Sequence, residues 1–430
     1  MLTELRCSTS HARRLRPLLL IVWATAVVGC DRRDTAELGA ESGAIRTDSS
    51  SSEAAPAADF KSVAAKVVRQ SAAVREGDIV MVSGSDEDLP LLEEIAIEVR
   101  KLGGQPLVTV NTERFSRRAY DEVPAKYDGQ APELTLKLAE VLDVFITTEA
   151  GEGRTLKGVA PERIAARGKA FAPVGALMAK RNVRTVALGN GLYPSPERAE
   201  QFGISRDELA GLMYGGVDAD YAELQASGER IRRSLAGGKE IRITGPGGTD
   251  LKVQIAGRPV VVSDGVISAE DRKQGGPAVT VWLPAGEVFF VPVPGTANGV
   301  VVADHMFYQG DRIEGLRLEV KNGKMVGMTA KSGLDPLKQY YDVAGSGKDL
   351  LGVVDIGINP GIKLPESSAV NVWSRAGVVT VVVGDNTWAG GNNRVAFSIP
   401  AEVANATLEV DGTAIVKDGK LVEGAVVAGH

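Results

Sequence analysis

Near Gly237 the chain changes its pattern, and that change limits the folds open to it more than any other feature. Before it, from about Phe60, short apolar runs alternate with helical patterns. IVMV (Ile79 to Val82) is a short buried strand, and LPLLEEIAIEVRKLG (Leu89 to Gly103) has apolar residues at helical spacing and ends at glycine. PLVTV (Pro106 to Val110), LTLKLAEVL, VFITT (Val144 to Thr148) and TVAL (Thr185 to Leu188) continue the alternation. Repeating β and α units predict an α/β domain over residues 60–236, with a mostly parallel sheet and helices on both faces. Ser205 and Glu208 in SRDEL have capping-box spacing, so a helix starts there.

After Gly237, strand-like runs meet at Asn322-Gly323, Asp411-Gly412 and Asp418-Gly419. These pairs tolerate the left-handed backbone that a tight hairpin demands. One helix interrupts the strands, with Asp335 as its cap and Pro336 at its first position in DPLKQYYDV. Residues 237–430 are therefore expected to form a β-rich (α+β) domain built on a curled antiparallel sheet.

The N-terminus belongs to neither pattern. Arg13, Arg14 and Arg16 precede the apolar run PLLLIVWATAVVG, which is short for a bilayer span and suits a secretory signal at residues 1–29. Residues 30–59 are small and polar and read as a disordered tether. Of the chain's two cysteines, Cys7 lies in the signal, so the processed chain forms no internal disulfide.

Several function classes are excluded by composition and motif. A net charge of −6 without long basic runs argues against nucleic acid as partner. The loop after the first strand, SGSDEDLP, puts Asp86, Glu87 and Asp88 where a nucleotide phosphate would sit, and AGSGKD (Ala344 to Asp349) fails the phosphate-loop pattern. There is no G-x-S-x-G, no H-E-x-x-H and no nucleophilic cysteine in the processed chain.

One carboxylate stands out. LPAGEVFFVPVP (Leu283 to Pro294) reads as a buried strand interrupted by Glu287. A buried charge needs a cation, a metal or a proton.

Several stretches together resemble one family. They are GDIVMVSG at Gly77, LYPSPERAEQFGISRDELAGLMY (Leu192 to Tyr214), GPGGTDLKVQIAGR (Gly245 to Arg258), LPAGEVFFVPV, IEGLRLEVKNGKMV (Ile313 to Val326), GINPGI (Gly357 to Ile362) and GGNNRVAF (Gly390 to Phe397). In this order they resemble the thermophilic metallo-aminopeptidases of the aminopeptidase T type. The resemblance implies a pair of divalent cations (zinc, cobalt, manganese or magnesium) that polarise the scissile carbonyl and generate hydroxide. It also implies release of N-terminal residues from peptides, a homodimer, and a metal-ligand role for Glu287. V-V-G-C, ending at Cys30, likewise resembles the lipobox of bacterial lipoproteins. That implies an exported chain held to a bacterial membrane by a lipidated Cys30 and facing the periplasm.

The rest of the implied ligand set departs from the family. The second glutamate position holds Val353, with Asp355 two residues further on the same side of a strand. The first histidine position holds Thr380, the His-Trp-Asp string corresponds to Ser398, Ile399 and Pro400, and the assisting tyrosine corresponds to Thr387. The three histidines are His11, His305 and His430, so one interior imidazole cannot replace two. Asp304, His305, Glu287 and Asp355 could instead form an oxygen-rich site for magnesium, manganese or calcium, although neighbours on a strand point to opposite faces; the plainer reading packs His305 at a strand end and has Asp355 cap an amide.

The loop GDNTWAGGNN (Gly384 to Asn393) offers Asp385, Asn386, Trp388, Asn392 and Asn393 either to a peptide or small-molecule ligand or to a simple glycine-rich turn. Two functions stay open. One is a metal-dependent aminopeptidase; the other is a non-catalytic relative that keeps the cleft and binds peptides or a small ligand.

Overall fold

The computed structural model describes residues 59–149, 154–365, 370–395 and 397–422. The signal segment, Cys30 and nearly all of the tether lie outside the described residues.

The first half forms a parallel sheet in the order Gln105–Asn111, Ile79–Ser85, Val144–Thr148, Arg184–Leu188 and Thr280–Leu283. Apolar side chains explain its centre: Val80, Val82, Val144, Ile146, Val186 and Leu188 are nearly or fully buried. Helix Leu89–Lys101 packs Leu91, Leu92, Ile95 and Val99 inward, and the capping box at Ser205 forms as expected. There the Ser205 amide donates to Glu208 (2.7 Å) and the Glu208 amide donates back to Ser205 Oγ (3.2 Å).

The fifth strand reaches across the expected domain boundary. Thr280–Leu283 lies well beyond residue 237, yet it pairs in parallel with Arg184–Leu188. A strand joins the sheet that offers it an edge, and pairing across so long a connection leaves no local trace in sequence. The largest apolar cluster accordingly runs without a break from Val63 to Val416.

The second half is rich in antiparallel sheet, as expected, and its strands divide between two sheets. Eight strands run in the order Lys324–Thr329, Asp311–Lys321, Asn298–Tyr308, Thr249–Gln254, Glu240–Gly245, Thr407–Val410, Thr413–Lys417 and Lys420–Leu421. Five more run Ser398–Val403, Val379–Gly384, Leu351–Gly357, Glu287–Phe290 and Val260–Ser263. All three hairpin signals are realised: Asn322, Asp411 and Asp418 take φ near +50°, followed by Gly323, Gly412 and Gly419 at positive φ. The helix of DPLKQYYDV starts one residue earlier than expected, so Asp335 is its first residue rather than its cap.

Candidate functional site

The stretch TVWLPAGEVFF carries the chain from one sheet to another. Thr280–Leu283 completes the parallel sheet, Pro284 to Gly286 turn, and Glu287–Phe290 enters the five-stranded sheet. LPAGEVFFVPVP is thus not a single strand, and Glu287 stands where the two layers meet. Asn359, from GINPGI, fastens the turn: its Nδ2 donates to Ala285 O (2.6 Å) and Gly216 O (3.0 Å), and its Oδ1 accepts from the Gly361 amide (2.8 Å). Gly286, at φ +121°, lies so close that an added Cβ would come 2.7 Å from the Asn359 Cβ. Asn190 holds the other side. Its Nδ2 donates to Pro284 O (2.8 Å) and to Glu287 Oε1 (3.0 Å), while its backbone amide donates to Glu149 Oε2 (2.9 Å).

The strand register places the implied metal positions together. Directly opposed residues of an antiparallel pair share a face, and so do residues two apart along a strand. Glu287 opposes Ser263 and Gly357; Asp355 opposes Phe289 and Thr380; Thr380 opposes Glu402; Val382 opposes Val353 and Pro400; Gly384 opposes Ser398. Glu287, Val353, Thr380, Ser398 and Pro400 therefore all lie on one face, with Asp355 and Glu402 among them. Ile399 lies on the other face.

This face gathers three acids, and no cation acts on two of them, Glu287 and Asp355. Burial pushes the Glu287 carboxyl up to about 7; the Asn190 amide opposes that rise and the charge of Glu149 adds to it. Burial, and then the nearby Glu287, raise Asp355 well above the usual carboxylate range. Burial also pushes Glu402 up to about 7, against the charge of Arg198 and an amide of Asn371. Both carboxyl oxygens of Asp355 and the hydroxyls of Thr380 and Ser263 are buried without a hydrogen-bond partner. Asp355 therefore does not cap an amide.

These residues do not fit the family's two-metal centre. Val353 and Pro400 offer no donor, Thr380 offers a neutral hydroxyl and Ser398 is exposed, so Glu287 alone keeps its implied donor type. His305 lies on Asn298–Tyr308 in the eight-stranded sheet, opposite Glu314, and Asp304 is exposed. The mixed site with Glu287 and Asp355 is not assembled. Among the described residues, no group of three or more His, Cys, Asp or Glu side chains is placed to hold a metal ion.

The Gly384 to Asn393 loop mostly holds itself together. Asp385 accepts from the Thr387 amide (3.1 Å), the Thr387 hydroxyl (2.8 Å) and the Val395 amide (3.2 Å). Asn386 accepts from the Asn393 amide (2.8 Å), and Asn393 donates to Gly347 O (2.9 Å) and Gly384 O (2.6 Å). These three side chains turn inward because short polar groups in a glycine-rich loop satisfy its bare backbone. Asn392 is exposed, and Trp388 and Ala389 are the loop residues that reach the sheet face.

Around Trp388 gather two tryptophans that sequence reasoning missed. Its ring centroid is 5.2 Å from Phe289, 5.9 Å from Trp282 and 5.9 Å from Trp373. Phe289, Val353, Val382 and Ala389 belong to a separate apolar cluster on which Trp373 and Trp388 pack. Asn190, Asn359, Arg198 and Glu402 were also missed. They converge from distant parts of the chain; Arg198 and Asn359 lie within stretches that carry the resemblance, Asn190 and Glu402 outside them.

Comparison with known proteins agrees with this architecture. The family model for thermophilic metalloproteases (M29) matches residues 57–356. That span contains Glu287, Val353 and Asp355, while Thr380, Ser398 and Pro400 lie beyond it. Aminopeptidase PepS of Streptococcus thermophilus is 26% identical over 300 residues, covering 62% of this chain and 68% of that protein. Aminopeptidase 2 of Geobacillus stearothermophilus is 25% identical over 295 residues, covering 63% and 69%. Among solved structures, AmpT from Thermus thermophilus superposes with a TM-score of 0.66 at 17% identity, covering 84% of this chain and 98% of that one. A 2,5-dihydroxypyridine dioxygenase from Pseudomonas putida shares the fold at a TM-score of 0.54 and 13% identity, covering 85% and 97%. With the family model matching well over half of its length, the chain belongs to the thermophilic metalloprotease (M29) family.

Proposed function

We propose that this chain is a ligand-binding member of its family that has given up two-metal hydrolysis, holding a peptide or another small molecule at the face of the five-stranded sheet. One observation carries the reading. The five positions that resemblance assigns to metal ligands share that face, and Glu287 is the only one still bearing a carboxylate or imidazole. The relatives' names favour release of N-terminal residues instead, and the family's description a metal. Asp355, with both oxygens unpartnered beside Glu287, is the feature that supports this second reading.

By resemblance the protein is exported, lipid-anchored through Cys30 to a bacterial membrane and homodimeric. Cys30→Ala should stop processing and detergent-phase partitioning; unchanged partitioning would refute the anchor.

Hydrolysis of leucyl peptides with added zinc or cobalt separates the two functional readings. The expected result is no turnover above buffer. Turnover by the wild type that disappears in Glu287→Gln would overturn the non-catalytic reading.

A further inference from the structure

At its far edge the parallel sheet ends in a strand that no other strand covers among the described residues. Gln105–Asn111 pairs with Ile79–Ser85 on one side and has no neighbour on the other. Every other strand of this sheet buries some of its residues, whereas this one buries none. Leu107, Val108 and Val110 are 40%, 39% and 42% exposed. The strand is seven residues long, unbroken in register and without a charge, so Pro106 is its one device against edge-to-edge pairing.

That device is incomplete. The Gln105 amide donates to Asp78 O (2.8 Å), so Gln105, Leu107, Thr109 and Asn111 direct their backbone groups to the neighbouring strand. Pro106, Val108 and Val110 direct theirs outward. Pro106 stands where a missing N–H costs the sheet nothing, and Val108 and Val110 each leave an N–H and a C=O free.

Helix Leu89–Lys101 lies beside this edge and tells what fits it. Val108 opposes Val82, which packs with Leu92, Ile95 and Val99, so the helix covers the face that carries Val108 and Val110. One flank of the helix is closed, where Arg69 pairs with Glu98; Ala72, just after that segment, accepts from Arg184 on an inner strand (3.1 Å). The opposite flank, with Glu93, Ala96 and Arg100 at helical spacing, therefore looks toward the free edge. Exposed acids, Asp86 and Glu87, precede the first turn, and exposed bases, Arg100 and Lys101, end the last. Glu87 pairs with Arg206 and Lys101 with Glu98, whereas Asp86 and Arg100 make no ion pair among the described residues.

We propose that a second copy of this chain docks on this edge about a two-fold axis normal to the sheet. The edge strands run antiparallel and join the two sheets into one, through the free backbone groups of Val108 and Val110. The same axis sets the acidic start of one helix beside the basic end of the other, and a parallel approach would oppose like charges. A lipid surface would cover the valines but leave the backbone groups unpaired. An unrelated extended peptide would pair the backbone but has no reason to match both ends of the helix. The edge lies four strands from Thr280–Leu283, about 19 Å away at the usual strand spacing. The contact is thus separate from the face that carries Glu287 and depends on neither reading of that face.

Sedimentation of the purified full chain over a concentration series tests this. The wild type should associate, and Val108→Pro should halve the mass of the assembly while keeping its thermal transition, because only an outward N–H is lost. Arg100→Glu should weaken association about tenfold or more, and adding Asp86→Lys should bring it back to within about threefold of the wild type. Should Val108→Pro not fold, this charge reversal and its rescue decide alone. Hydrogen exchange at the Val108 and Val110 amides should slow as concentration rises. A wild type that stays monomeric, an unchanged mass in folded Val108→Pro, or a loss in Arg100→Glu that Asp86→Lys does not relieve overturns the inference. Protection of those two amides that is independent of concentration would mean that residues 1–58 of the same chain cover the edge, and overturns it as well.

Discussion

The two faces of the five-stranded sheet are made by the same strands, and most of both is closed to water, yet they differ in kind. One face carries Val288, Phe290, Val354, Ile356, Val379, Val381, Val383, Ile399, Ala401 and Val403, all within the main apolar cluster. The other carries Glu287, Asp355, Thr380 and Glu402 beside Phe289, Val353 and Val382. Burial alone does not distinguish them, since every residue of Glu287–Phe290, Leu351–Gly357 and Val379–Gly384 is buried. Chemistry does. A core face stabilises by packing; the opposite face keeps oxygens whose burial costs free energy, and such a cost persists where a ligand offsets it.

The comparison breaks most visibly at adjacent phenylalanines and acids. Phe290→Ala removes a fully buried ring from the core face and should cost about 3–5 kcal/mol, read as a large fall in the denaturant midpoint. A loss below about 1 kcal/mol would show that this face is not the core.

Next in size is the dependence on pH. Glu287 and Glu402, ordinary carboxyls at 4.5 when unfolded, are each pushed up to about 7 in the folded chain. Each therefore keeps its proton on folding where the unfolded chain has released it. The resulting stabilisation is complete below about pH 4.5 and is lost as pH rises to about 7, at most about 3 kcal/mol per group. The ligand-free thermal midpoint should fall across that window, and Glu287→Gln should remove part of the fall. A profile unchanged by Glu287→Gln would mean that this acid is ionised and paired.

The smallest effect is expected at Thr380. Its hydroxyl has no partner, so Thr380→Val should change stability by less than about 1 kcal/mol, toward stabilisation. A loss of 2 kcal/mol or more would reveal a hydrogen bond at that position.

How much of this was legible in the sequence follows from how local each feature is. The hairpins were readable because Asn322-Gly323, Asp411-Gly412 and Asp418-Gly419 declare a backbone geometry within two residues. Glu287 was readable because a carboxylate in an apolar run asks for a partner. The face itself was not readable as a face. With both sides of Leu351–Gly357 and Val379–Gly384 buried, period-two alternation disappears, and only the register reveals that Val353, Thr380 and Pro400 look the same way as Glu287. Trp282 and Trp373 joined the site through tertiary approach, which no spacing encodes. The approach is close enough that Gly357 has no room for a Cβ, blocked by the carbonyls of Trp373 and Arg375. Asp385, Asn386 and Asn393 misled for the opposite reason: a polar, glycine-rich loop looks the same whether its side chains serve a ligand or the loop's own backbone.

The central claim is that this face no longer holds a metal pair. Metal content per chain, measured on the purified protein after dialysis against zinc-free and cobalt-free buffer, tests it most directly, with the thermal midpoint recorded with and without chelator. The expected result is well under one divalent ion per chain and a midpoint unmoved by the chelator. Two ions per chain, with a midpoint that drops on chelation in the wild type but not in Glu287→Gln, would contradict it.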